Sequence, residues 1–213
     1  ADTELFWAAM GHNLSPKGAA ALFANQPPEA AQAFAADRGA MRAGMTSLRP
    51  GDATSAYRSH LRRLAHMLEQ NDYLVGDAPC VADFAVYHPL WFTRHRTPAV
   101  ADIFQATPVV LDWMDRMAAL GHGAPEKMSA ADAIAVAKAS TPAVHPDDHF
   151  QNDHGIDLGS RVGIAAESFG LEVTEGELVA ATRTQLTLRR VDERAGTLHV
   201  HFPRVGYVLR ALA

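Results

Sequence analysis

One stretch constrains this chain more than any other: Leu74-Val-Gly-Asp-Ala-Pro-Cys-Val-Ala-Asp-Phe-Ala-Val-Tyr-His-Pro-Leu-Trp-Phe92. A glycine turn runs directly into a segment with almost no polar face. Taking Cys80 as the N-cap makes Asp83 the N3 residue. In a capping box the N-cap side chain accepts from the N3 amide, and the N3 acid reaches back to the N-cap amide. Asp83 suits that role and also the positive end of the helix dipole. Cys80 is the weak member, because a thiol is a poor acceptor. A helix N-terminus can lower a thiol pKa, but the Asp83 carboxylate opposes a thiolate, so Cys80 and Asp83 are read as structural capping residues. Pro79 at N′ and Phe84 at N4 are placed for a hydrophobic staple. Val81, Phe84, Ala85, Val86, Tyr87, Leu90, Trp91 and Phe92 surround the helix, and a helix apolar on every side is expected to be buried among others. Pro89 should kink it or end its regular part.

The flanking sequence has helical period. Asp2 or Thr3 caps a first helix with Leu5, Phe6, Ala9 and Met10 on one stripe, and Asn13-Leu-Ser-Pro16 ends it. Pro27-Pro28 opens a second, with Phe34, Met41, Met45 and Leu48 on one side. Arg49-Pro-Gly-Asp52 reads as a turn. Tyr57, Leu61, Leu64 and Leu68 then recur at helical spacing, with Arg58, Arg62, Arg63 and Glu69 off that stripe. Beyond the Leu74–Phe92 segment and an Arg94–Thr107 connection, Val110, Trp113, Met114, Met117 and Leu120 share a face, and Gly121 and Gly123 are stop signals. Ser129 and Asp132 form a capping box for a short helix to about Ala139.

After this point the period changes to two. Residues 141–161 are rich in Pro, Asp, His and Gly and read as a linker. Val162–Glu167, Gly176–Ala181, Gln185–Val191, Thr197–Phe202 and Gly206–Leu212 then read as strands, with Asp192-Glu-Arg-Ala-Gly196 as a hairpin loop. The expected fold class is α+β. A helical bundle over 1–140 and a linker over 141–161 precede a small antiparallel β-sheet or partly open barrel over 162–213.

Gly76-Asp77-Ala78-Pro79-Cys80-Val81-Ala82-Asp83 resembles the Gly-Asp-x-x-(Ser/Thr)-x-Ala-Asp segment that opens the sixth helix of glutathione S-transferases, departing from it at Cys80. Pro108-Val-Val-Leu-Asp-Trp-Met-Asp-Arg-Met117 is similar to that family's next helix. The resemblance covers about residues 1–140 and implies the family's all-helical C-terminal domain. It implies that the first helix lines the cleft for an electrophilic co-substrate, which makes Phe6, Trp7 and Met10 the candidate substrate-binding residues beside their role in helix packing. It places thiol activation and the grip on glutathione in a preceding thioredoxin-like βαβ domain, so no catalytic residue is assigned within the chain. Ala1 follows no initiator Met, and the chain reads as a fragment. The parent is expected to conjugate or reduce small electrophiles with glutathione as a homodimer, while the fragment itself binds no cofactor. The alternative is a non-catalytic ligand-binding or interaction module of the same fold.

Composition narrows the field. The net charge is −5, arginines are scattered and only Lys17, Lys127 and Lys138 are lysines, which argues against nucleic acid as a partner. No apolar run reaches membrane-spanning length, so a membrane partner is not expected. One cysteine allows no internal disulfide and fits a reducing cytoplasm. His145, Asp147, Asp148, His149, Asp153 and His154 could each ligate metal, but they match no standard ligand spacing and read as linker. His199 and His201 share one strand face and would need a third ligand. No metal site is therefore assigned.

Overall fold

The structure is a computed structural model and describes residues 3–45, 47–143 and 149–212. Its helices are α1 (Glu4–Asn13), α2 (Pro16–Leu22), α3 (Pro28–Met41), α4 (Pro50–Met67), α5 (Val81–Trp91), α6 (Pro108–Ala119) and α7 (Ala130–Ala139). A π-helical turn (Phe92–Arg96) and a 3-10 helix (Pro98–Ala106) join α5 to α6. Five strands follow: β1 (Arg161–Ala166), β2 (Thr174–Ala181), β3 (Gln185–Asp192), β4 (Gly196–Pro203) and β5 (Tyr207–Ala211). The chain forms two compact units. One is Ala1–Ala36 with Thr46–Pro125; the other is Asp37–Met45 with Glu126–Ala213.

The helical unit is organised by the α4 stripe. Tyr57, Leu61, Leu64 and Leu68 are all buried, as their spacing requires, and they meet Val110, Trp113, Met114 and Met117 in one core. Facing α4, α1 buries Leu5, Ala8, Ala9 and His12. The expected stripe of Leu5, Phe6, Ala9 and Met10 is therefore rotated, with Phe6 and Met10 half-buried. Small residues decide the rotation, because they let backbones approach. A Cβ added at Gly11 would lie 2.6 Å from the Ala53 Cβ.

Three further expectations are corrected. Pro16 ends α1 as expected but also opens α2, taking the first helical turn where its missing N–H costs nothing. Pro50 does the same for α4, so Arg49–Asp52 is a helix start and not a turn. The segment expected to be buried on every side is buried on only one. α5 buries Asp83, Val86, Pro89 and Leu90 but leaves Val81 83%, Phe84 56% and Trp91 40% exposed. One face of α5 therefore packs into the core, while Val81, Phe84 and Trp91 lie on its exposed side.

The second unit contains a five-stranded antiparallel sheet in the order β4-β3-β2-β1-β5. All five strands fall where the period-two pattern placed them. Val162, Ile164, Leu178, Leu186, Leu188 and Leu209 form the buried face, with Phe202 and Tyr207 packed against it. The β3–β4 turn is closed by Asp192, whose Oδ1 accepts from the amides of Arg194 and Ala195, both at 2.9 Å. The segment from 149 to 160 is held to the sheet and does not float free. The Gln151 amide donates to Ala181 O at 2.8 Å, the Gly159 amide to Leu178 O at 2.8 Å, and Arg204 pairs with Asp153 at 2.6 Å. α7 carries one half of the expected box, the Asp132 amide donating to Ser129 Oγ at 3.1 Å, while the Asp132 carboxylate accepts from the Ser129 hydroxyl at 2.7 Å.

Candidate functional site

The start of α5 is built on one carboxylate. Asp83 has no solvent exposure and accepts three hydrogen bonds: Leu74 N and Trp113 Nε1 to Oδ1, each at 2.9 Å, and Cys80 N to Oδ2 at 3.0 Å. Both halves of the capping box form, the Cys80 thiol accepting from the Asp83 amide. Leu74 sits in a tight reversal closed by Tyr73 N to Gly76 O at 2.9 Å, and Gly76 takes φ +138, which side chains rarely adopt. Asp83 thus joins the turn, the helix start and α6. Burial pushes its pKa up, but the two amides and the indole together outweigh burial and hold it below the ordinary carboxylate value. The spacing identified the Cys80–Asp83 link. It missed Leu74 and Trp113, although a buried indole N–H needs an acceptor and a buried carboxylate needs donors.

Beside this frame, α1 and α5 form a half-open aromatic face. Phe6 meets Trp7 edge-on with ring centroids 5.0 Å apart, and lies 5.8 Å from the His88 ring. His88 is exposed and occupies the same side of α5 as Phe84 and Trp91, the latter 5.7 Å from His95. Trp91, expected in the core, belongs to this surface; Trp113 is fully buried, as expected. Of the three candidate substrate-binding residues, Phe6 and Trp7 share the aromatic cluster, while Met10 packs on the helical core. An apolar face with an imidazole at its centre can hold a flat, weakly polar molecule but supplies no nucleophile.

A buried polar chain crosses the unit beneath α1. The Tyr57 hydroxyl donates to Thr93 Oγ1 at 2.9 Å, and Thr93 donates on to Pro89 O at 3.1 Å. Burial raises the Tyr57 pKa, opposed by the Thr93 bond, so the phenol stays protonated. Thr97 Oγ1 donates to Asn13 Oδ1 at 3.2 Å. Thr93 lies within the π-helical turn that follows Pro89, and Thr97 caps its end; the prolyl nitrogen has no proton for the helix ladder.

The histidine candidates separate. His149 and His154 are exposed, and His145, Asp147 and Asp148 lie outside the described residues. Among the described residues, no group of three or more His, Cys, Asp or Glu side chains is arranged to hold a metal. His199 and His201 share a face, with ring centroids 6.4 Å apart, and His201 Nδ1 lies 3.0 Å from Thr187 Oγ1. No described helix is long and apolar enough to cross a membrane.

Comparison with known proteins agrees with this architecture. The family described as glutathione S-transferase, C-terminal domain, matches residues 28–116. A crystal structure of a GST-like protein from Pseudomonas syringae is similar, with 40% sequence identity and a TM-score of 0.68. The match covers 75% of this chain and 58% of that one. The chain therefore spans less than two thirds of the length of that structure. No curated protein matches.

Proposed function

This is a glutathione S-transferase-like protein, and from that premise we propose that its helical unit is the co-substrate wall of an enzyme that conjugates or reduces small electrophiles with glutathione. The observation that carries the reading is the half-open Phe6–Trp7–His88 cluster. Such a wall binds the apolar body of an electrophile without demanding one shape, and it holds the reacting carbon within reach of a sulfur. In conjugation to an aryl halide, the glutathione thiolate attacks the ring carbon, a C–S bond forms and halide leaves. That step needs a stabilised thiolate. We place its activation in a thioredoxin-like domain outside these 213 residues, with glutathione entering as a substrate. The protein of which this chain is part works as a cytoplasmic homodimer in this reading.

A second reading has its own support. Val81 and Phe84 are the most exposed apolar side chains of α5, and such a face also suits a non-catalytic ligand-binding or interaction module. The full-length protein distinguishes the two. Incubated with glutathione and 1-chloro-2,4-dinitrobenzene, or with glutathione and an organic hydroperoxide, it should turn over at least one of them at a rate well above the reaction without protein. Absence of glutathione-dependent turnover with both would favour the module.

A further inference from the structure

The helical unit also holds a cavity that shares no lining residue with the aromatic face. It has a volume of about 380 Å³ and lies among the C-terminal end of α1, the start of α2, the Thr54–Arg62 part of α4 and the 3-10 helix. That volume falls within the range of small-molecule sites. Its buried lining combines apolar Leu61, Val100 and Ile103 with the polar side chains of His12 and Thr107. Its exposed lining is cationic: Lys17, Arg58 and Arg62 face a single acid, Asp102. The chain as a whole is acidic, at −5, so this local excess runs against the average.

Two observations separate the cavity from a merely solvated groove. Arg58 and Arg62 stand four apart on one face of α4, where like charges repel. Yet among the described residues the ion pairs involve neither of them, nor Lys17. The wall between them is also fixed. His12 Nε2 lies 3.0 Å from Val100 O, so that nitrogen carries the proton, and in the neutral ring Nδ1 accepts from Thr54 Oγ1 at 3.1 Å. The imidazole therefore ties α1, α4 and the 3-10 helix together at the cavity wall.

We propose that this cavity binds a small carboxylate with a short apolar body, the body resting on Leu61, Val100 and Ile103 and the carboxylate meeting Arg58 and Arg62. Guanidinium groups fit a planar carboxylate through paired N–H donors. The apolar lining adds affinity that a bare anion would lack.

The test uses benzoate, with benzamide as its uncharged counterpart and acetate as a carboxylate lacking the ring, each titrated by calorimetry or ligand-observed NMR. Benzoate should bind with a Kd of about 1 mM or tighter, in the range open to so small a ligand. Benzamide and acetate should each bind at least about tenfold more weakly. Arg58→Gln with Arg62→Gln should weaken benzoate at least about tenfold. Relieving the repulsion should leave the melting temperature unchanged or higher, so unfolding would not mimic the loss. Trp7→Ala, on the other face, should leave benzoate affinity unaltered. Failure of benzoate to bind, equal binding of benzamide, or full affinity in the double variant would each overturn the proposal.

Discussion

Replacing Asp83 with Ala should destabilise the helical unit by about 3–5 kcal/mol, among the largest effects expected of a single substitution. The carboxylate is fully buried and accepts from Leu74 N, Cys80 N and Trp113 Nε1. Truncation leaves the buried Leu74 and Trp113 donors and the part-buried Cys80 amide without this partner, and each stranded buried donor costs about 1–3 kcal/mol. Asp83→Asn keeps the shape and one acceptor oxygen, but it turns an amide group toward another donor, so about 2 kcal/mol should be lost. The pH dependence has a definite sign. The folded pKa of Asp83 lies below its unfolded value of about 4. Its contribution is therefore present above the unfolded pKa and lost as pH falls through the folded one. Denaturant midpoints measured from neutral pH downward should fall in the wild-type protein on the acid side of about pH 4, and fall less steeply in Asp83→Asn. Equal acid limbs would remove Asp83 from the account.

Gly18→Ala should also be strongly destabilising, by about 3 kcal/mol, although in most helices this change is favourable. Alanine is the better helix former by about 1 kcal/mol. At Gly18, however, a Cβ would lie 2.0 Å from the Asn13 carbonyl oxygen and 2.9 Å from its carbon. These are backbone atoms at the end of α1 and cannot rotate away, so α2 must leave its seat. Gly39, within α3, supplies the control, because a Cβ there meets nothing within 4 Å. Gly39→Ala should stabilise by about 0.5–1 kcal/mol. Thermal melts of the two variants should shift in opposite directions. A Gly18→Ala protein as stable as Gly39→Ala would show that α2 does not pack on α1 in this way.

Local patterns in the sequence carried much of the fold. Period two located all five strands, because one face of the sheet is buried and alternation follows directly. The Tyr57–Leu68 spacing located the face of α4 that meets the core. Errors arose where a residue serves two purposes or where the partner is remote. Pro16 and Pro50 each look like a stop and also serve as a start. The α1 stripe was misjudged because hydrophobicity ranks Phe6 and Met10 above Ala8, whereas close helix packing selects the small residue. Apolarity placed all of α5 inside, yet apolarity alone does not say which neighbour covers each face. The site divides in the same way. The Cys80–Asp83 link spans three residues and was legible. Trp113 is thirty residues from Asp83, His12 is 88 from Val100, and pairings at such separations are set by tertiary packing. The cationic lining around His12 left no motif, because Lys17 comes from α2 and Arg58 and Arg62 from α4.

The most direct test of the functional reading is steady-state kinetics of the full-length protein carrying Trp7→Ala, with the electrophile varied at saturating glutathione and the reverse. Loss of an indole from an apolar wall that contacts only the co-substrate should raise KM for the electrophile about five- to tenfold. KM for glutathione should stay within about twofold of the wild-type value, and the melting temperature should be little changed. An unaltered electrophile KM, or an equal loss toward both substrates in a well-folded variant, would contradict the assignment of the Phe6–Trp7 face as the co-substrate wall.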